Sequence, residues 1–263
     1  MINSKQKALI IKDLRFAKAT KGNIVSIVLV SLIFCVVFPS VLIVTTYFSP
    51  DGMGDLDDLL ALLGDTFVGA EANMAILSFI LNNIIPMFFL MIPVIATTTM
   101  ATSSFIGEKE KRTLETLLYS PMSLREIFTS KVLASFFLSM VVTVTAFIFY
   151  ITVSQLLMHF LFGQLMLPGI NWYLIVFVMA PVISLLAVTI TCKISVKAQT
   201  MEEAFQKAGL LVIPIILFAA SQFTGLMIIG TWVLLGVAVV IGVIAYILMQ
   251  SALRNFKYET LLK

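Results

Sequence analysis

Charged side chains are absent from four long stretches of the chain. No Asp, Glu, Lys or Arg occurs at 22–50, 72–107, 132–192 or 208–253, runs of 29, 36, 61 and 46 residues. A helix needs roughly 20 apolar residues to cross the hydrocarbon core of a bilayer, so the four runs hold one, one, two and two crossings. Backbone N–H and C=O groups in lipid must pair internally, which leaves helices or a closed barrel. The runs lack the period-two alternation of barrel strands, and this selects helices. A soluble helical core would instead interrupt them with polar faces every 3.6 residues or so. The pattern predicts an all-α integral membrane protein, a single transmembrane domain over 1–263. Its six transmembrane helices are expected at about 24–47, 74–105, 132–158, 172–192, 209–228 and 232–251.

The polar intervals carry their own periodicity. Residues 5–21 form an amphipathic helix: Lys5, Lys7, Lys12, Arg15 and Lys18 share one half of the wheel, and Leu9, Ile10, Leu14, Phe16 and Ala17 the other. Such a helix is expected to lie at the membrane interface. The apolar run after it, about 25 residues, exceeds the h-region of a signal peptide (roughly 7–15) and reads as an uncleaved first span. The segment "SPDGMGDLDDLLALLGDTFVGAEA" predicts a turn and a short helix, with Asp55 as N-cap and Leu56, Leu59, Leu60, Leu63 and Phe67 on one stripe. Pro39 predicts a kink toward the outer end of the first span, while Pro86 and Pro93 remove backbone donors from the second. Ser123 with Glu126, and Thr200 with Glu203, are capping boxes that open helices before the third and fifth spans.

Composition agrees with this picture, and charge orients it. Of 263 residues 60% are hydrophobic and 12% charged, against about 25% charged in a soluble domain. Lys plus Arg number 6, 0, 5, 0, 3, 0 and 3 in the segments 1–23, 48–72, 106–131, 159–171, 193–207, 222–231 and 252–263, which accounts for all 17. The bases lie on one side, and the positive-inside rule makes that side, with both termini, cytoplasmic. The outer side holds six acids (Asp51, Asp55, Asp57, Asp58, Asp65, Glu71) and the lone His159. Tyr47, Trp172, Tyr173 and Trp232 fall at its predicted interface, where aromatic belts form. The inner bases suit anionic lipid headgroups. No basic run with interleaved aromatics points to nucleic acid.

Nine charges crowd between Glu108 and Lys131, five basic and four acidic. Within them "IGEKEKRTLETLLYSP" (106–121) has helical character: Leu114, Leu117 and Leu118 make a ridge, with Lys111, Arg112 and Glu115 around it. Pro121 ends this helix, so the loop 106–128 reads as a short, separately capped element. The second inner loop, 193–207, carries three bases and two acids, among them Glu202 and Glu203 after Thr200. Mixed charge around a leucine ridge suits a protein partner better than a headgroup layer. Inside the spans Asn82, Asn83, Thr97 and Thr98 are polar candidates for lining a translocation path, though helix–helix hydrogen bonding explains the asparagines equally well. Ala238 and Gly242 supply a small-x-x-x-small face, a weak cue for a dimer.

Other chemistries find little support. The chain has one His and two Cys, no metal-ligand cluster and no catalytic constellation, so neither a metal site nor an intramembrane enzyme is expected. Cys35 and Cys192 read as core thiols. No G-x-x-x-x-G-K-[ST] phosphate loop occurs, nor any Gly-Lys pair, so any ATP chemistry must come from another chain. Ion-coupled transporters usually keep ionisable groups at depth, and these spans hold none. A Na⁺ site built from carbonyls and hydroxyls (Thr97 to Thr99, for example) keeps an ion exporter, secondary transporter or channel without ATP coupling as the alternative.

Residues 103–136, "SSFIGEKEKRTLETLLYSPMSLREIFTSKVLASF", resemble the loop between the second and third spans of type-2 ATP-binding-cassette (ABC) transporter permeases, and "SVKAQTMEEAFQKAGLLVIP" (195–214) is similar to a second shared segment. Arg112 departs from the Gly that many members carry before the Thr. The resemblance implies a non-enzymatic membrane subunit of an exporter in the plasma membrane, docked on a separate ABC ATPase that binds ATP and Mg²⁺. It implies a coupling helix formed by Glu108, Lys111, Arg112, Leu114, Glu115, Leu117 and Leu118, and a second ATPase contact at Thr200, Glu202 and Glu203. It also implies a second permease copy, as homodimer or related heterodimer. The uncharged spans suit a hydrophobic or amphipathic cargo such as a peptide, drug or lipid.

Overall fold

The computed structural model describes residues 3–19, 21–48, 70–110, 113, 121–198, 200–223 and 230–255. No strand occurs among them. Among the described residues six helices are long and apolar enough to cross a membrane: Ile27–Phe48, Glu71–Glu110, Leu124–Phe162, Ile170–Ser195, Met201–Gln222 and Thr231–Arg254, here spans 1 to 6. An N-terminal helix, Ser4–Ala19, precedes them. The stripe expected at 55–67 lies outside the described residues.

Two boundaries differ from expectation in a way that matters. The helix of span 2 continues unbroken through Gly107 to Glu110, so residues 106–110 finish that span and do not start a separate helix. Span 3 begins at Leu124, well before the charge-free run, and extends 39 residues. At 1.5 Å per residue it is about 58 Å long, roughly twice the hydrocarbon thickness. Its first turns, opened by the expected Ser123–Glu126 box, run without a break into the span, so Lys131 lies within one continuous helix.

Buried polar side chains decide which spans are central. A hydroxyl or amide facing lipid finds no partner, so a span rich in them turns inward. Spans 2 and 4 are accordingly 67% and 56% buried, against 17% for spans 5 and 6. Span 3 shows the rule on one helix. Lys131, Ser135, Ser139, Thr143, Tyr150 and Ser154, at steps of four and seven residues, are buried, while Phe137, Val141, Ile148, Phe149, Leu156 and Phe160 face outward.

Prolines break the spans in a regular manner. Among the described residues three five-residue π-helical stretches occur, Ile33–Val37, Ile80–Ile84 and Ile175–Met179, and each ends two residues before a proline: Pro39, Pro86 and Pro181. A proline ring clashes with the carbonyl four residues back. That residue is Cys35, Asn82 or Phe177, the centre of each π stretch, where the wider turn relieves the contact. Pro93 and Pro214 instead follow turns at Leu90 and at Leu210–Leu211. The kink expected near the outer end of span 1 is thus a π stretch at its middle.

The N-terminal helix and the small-residue face both pack within the chain. Leu9, Ile10 and Asp13 are buried, and the helix lays this stripe along the start of span 3. Ala238 is buried in a cluster with Leu90 and Met179, and Gly242 faces Val182 of span 4. That face therefore serves packing within the chain.

Candidate functional site

The charged segments converge at one end of the bundle, where the N-terminal helix, the end of span 2, the start of span 3 and the helix Met201–Gly209 meet. Local sequence sets each piece. Ser123 caps span 3 as expected: its hydroxyl accepts from Glu126 N–H while the Glu126 carboxylate accepts from Ser123 N–H, a complete capping box. Thr200 caps Met201–Gly209 by accepting from Glu203 N–H at 3.2 Å, and Glu203 pairs with Lys207 at 2.6 Å.

Four ionisable side chains form the centre. Lys131 Nζ, 1% exposed, lies 2.7 Å from Glu108 Oε2 and 3.7 Å from Asp13 Oδ2. It also donates to Ser104 O at 2.6 Å and Ser104 Oγ at 2.9 Å. The Ser104 hydroxyl donates to Asp13 at 2.8 Å, and Lys12 donates to Glu108 at 2.5 Å. Two acids and two bases balance, as a buried ionic group requires. Burial pushes the Asp13 carboxyl above the usual carboxylate range, although Lys131 and the Ser104 hydroxyl pull the other way.

This cluster ties together the two ends of the charged loop. From the N-terminal helix, Lys12 and Asp13 hold the incoming end at Glu108 and Ser104. Lys5 donates to Pro121 O at 3.1 Å and Gln6 to Thr129 at 3.3 Å, which holds the outgoing end. Glu110 Oε1 accepts from Met201 N–H at 2.8 Å, so the last residue of span 2 caps the helix that leads into span 5. The hydrogen bonds at Glu108, Glu110 and Pro121, on either side of residues 111–120, thus reach the N-terminal helix and the helix at Met201.

The expected site residues separate under this geometry. Glu108 is at the centre of the ionic cluster and buried, so it braces the loop and does not present a free surface. Lys111, Arg112, Leu114, Glu115, Leu117 and Leu118 lie outside the described residues. Thr200 and Glu202 are exposed at the same end. Thr97 and Thr98 are buried between helices; Thr98 bonds back to Ile95 O, and the hydroxyls of Thr97, Thr102, Thr191 and Ser195 find no partner among the described residues. Sequence reasoning missed Asp13 and Lys131. The signal for Asp13 was available: it lies three and four residues from Ile10 and Leu9, on the apolar side of its helix, where an acid needs a buried cation.

Asn82 and Asn83 pin the opposite end. Asn82 Oδ1 accepts from Gly169 N–H at 2.7 Å, and Asn171 Nδ2 donates to Asn83 Oδ1 at 3.1 Å while Thr231 donates to Asn171 Oδ1 at 3.2 Å. Beside them, Leu81 O accepts from Trp172 Nε1 at 2.9 Å and from the Tyr150 hydroxyl at 3.2 Å. Trp172 is fully buried, so it is a core pin and not part of an interfacial belt; Trp232 and Tyr173 are exposed.

Six apolar helices long enough to cross a bilayer, with buried polar groups between them and an ionic cluster at one end, make the described residues a polytopic membrane bundle. Residues 8–233 match the model of the family described as ABC-2 family transporter protein, and the chain belongs to that family. Neither a curated protein nor a solved structure matches it.

Proposed function

We propose that this chain is the permease subunit of an ATP-driven exporter in the plasma membrane, moving a hydrophobic or amphipathic molecule. The charged end is the cytoplasmic one, since every Lys and Arg lies in segments on that side of the six-span pattern. Residues 111–120 meet an ABC ATPase that binds ATP and Mg²⁺, with Thr200 and Glu202 as a second contact, and a second permease copy completes the transporter. The observation that carries this reading is the double anchoring of the loop, through Lys12–Glu108 on one side and Lys5–Pro121 on the other. A loop tied at both ends to the same N-terminal helix, by a buried ionic cluster at Glu108 and by a hydrogen bond to Pro121, is placed to transmit force.

Leu117→Asp and Leu118→Asp test it, because a carboxylate on the ridge removes the apolar contact without touching the anchors. The variants are expected to insert and to retain their thermal midpoint, yet to lose most substrate-stimulated ATPase activity once reconstituted with the ATPase. Full stimulation in both variants would end the proposal.

A further inference from the structure

Spans 2, 4, 5 and 6 leave a cavity of about 170 Å³ between them. Span 4 lines it with Met179 and Ile183, span 5 with Pro214 and Phe218, and span 6 with Val237 and Ile241; on each wall the two residues are four apart. At 1.5 Å per residue the cavity is therefore about 6 Å tall, one helical turn on every side. Leu90 of span 2 and Ile215 of span 5 complete it. Local sequence interrupts three of the four walls: Leu90 lies at a turn, Met179 ends a π stretch, and Pro214 follows the turn at Leu210–Leu211.

Size and chemistry narrow what such a space takes. Every lining side chain is hydrocarbon or thioether, so a guest gains dispersion contacts and is offered no hydrogen bond. A charged or polar group would lose its hydration there without replacement. Apolar cavities of about 150 Å³ stay dry and bind benzene-sized guests. Pockets for whole drug-sized molecules run to roughly 300–1,000 Å³, so this one holds a single group. Its height disfavours a long hydrocarbon chain. One turn beyond either end of the span 4 wall, Ile175 and Ala187 are buried in the same apolar cluster, and a chain running on along the span would meet packed side chains. Pro214 is exposed, so a guest can enter beside span 5 without opening the bundle.

We propose that this cavity is a binding site for one ring-sized apolar group, of the kind that a small aromatic molecule carries. As a subsite for exported cargo it rests on the exporter reading, and it narrows that cargo to molecules bearing such a ring. As a binding site it does not. The test reads binding on the permease chain alone, so its failure leaves the coupling to an ATPase untouched.

The full chain in phosphatidylcholine nanodiscs is photolabelled with phenyl(trifluoromethyl)diazirine, a single ring that yields a carbene. Label is expected to saturate at Met179, Ile183 and Phe218 and to fall when excess toluene competes. Label on Phe137 and Val141, exposed on span 3, should instead rise in proportion to the probe. Ile215→Trp fills the cavity from span 5 and Val237→Phe from span 6; each should cut the saturable label about tenfold and leave the span 3 label unchanged. Cavity label that grows in proportion to the probe and ignores toluene, or that survives both substitutions, would overturn the site. Two other occupants would do so as well. Toluene-insensitive labelling of the same residues by a phosphatidylcholine carrying a diazirine in one acyl chain would give the cavity to lipid. Absence of label, with efficient oxidative cross-linking of Leu217→Cys between two copies, would give this face to a second chain; Leu217 is exposed, and the natural thiols Cys35 and Cys192 are buried and do not confuse that readout.

Discussion

Lys131 is almost wholly buried and has four oxygen neighbours: two of Ser104, one of Glu108 and, at 3.7 Å, one of Asp13. The Phe105 ring lies 5.4 Å from its ammonium group. Replacing a buried ion pair by hydrocarbon on both sides is often neutral, but removing one partner strands the other. Lys131→Met leaves Asp13 and Glu108 facing Lys12 alone, and is expected to cost about 3–5 kcal/mol of stability. Adding Asp13→Asn restores the balance of one acid and one base, so the double variant should recover at least about 1 kcal/mol of that loss. Thermal unfolding in detergent measures both; strictly additive losses would show that the charges do not act as one unit. Asp13 was legible as an acid on the apolar side of its helix. Lys131 was not, because spans were delimited by the absence of charge, and a buried lysine inside a span defeats that criterion by construction.

Among the elements, the second span shows how a proline creates a contact. In the π stretch Ile85 N–H bonds to Ile80 O, and the residue that would serve Leu81 O in the same register is Pro86, which has no N–H. Leu81 O is thereby released from its own helix, and Trp172 and Tyr150 supply donors from spans 4 and 3. The Tyr150 and Trp172 rings also stack, with centroids 4.1 Å apart. While either donor remains the carbonyl is satisfied; without both it is an orphan in a dry core. Tyr150→Phe and Trp172→Phe should each cost about 1 kcal/mol, and the double variant about 1–3 kcal/mol more than their sum. Placing both on Pro86→Ala, which gives Leu81 O a helical donor, should abolish the excess, and a thermal double-mutant cycle on the two backgrounds reads the difference. The prolines and their positions were plain in the sequence, as was the number of spans, because charge-free length is a one-dimensional property. That three of five membrane prolines would be met by π turns was not plain. The choice between a kink and a widened turn depends on what neighbouring spans can donate to the freed carbonyl.

At the scale of the whole molecule, the contacts divide the chain into a braced block and a linked arm. The ionic cluster joins the N-terminal helix to spans 2 and 3, Ser139 bonds to Pro93 O and Ser184 Oγ at mid-depth, and at the other end Leu81, Asn82 and Asn83 bind spans 3 and 4 while Asn171 of span 4 accepts from Thr231 of span 6. Span 5 joins this block through the helix Met201–Gly209, which packs beneath spans 2 and 4, through the turn at Leu210–Leu211, and through packing of Val212–Phe223 on span 2. Sequence separation hides such a division: Glu110 and Met201 are 91 positions apart, and nothing in either segment announces that one caps the other. The carboxylate stands at the N-terminus of a helix, where a negative oxygen both accepts an unpaired N–H and meets the positive end of the helix dipole. If it is the strap between the charged loop and span 5, its removal should loosen the arm and leave the block intact. Glu110→Ala is therefore expected to raise hydrogen–deuterium exchange at Met201–Glu203 about fivefold, the scale of a lost N-cap, with no change in span 3. Glu110→Gln keeps an acceptor oxygen and should raise it much less. Equal exchange in all three proteins would mean that Thr200 alone caps this helix, and force from the loop would then reach span 5 only through packing with span 2.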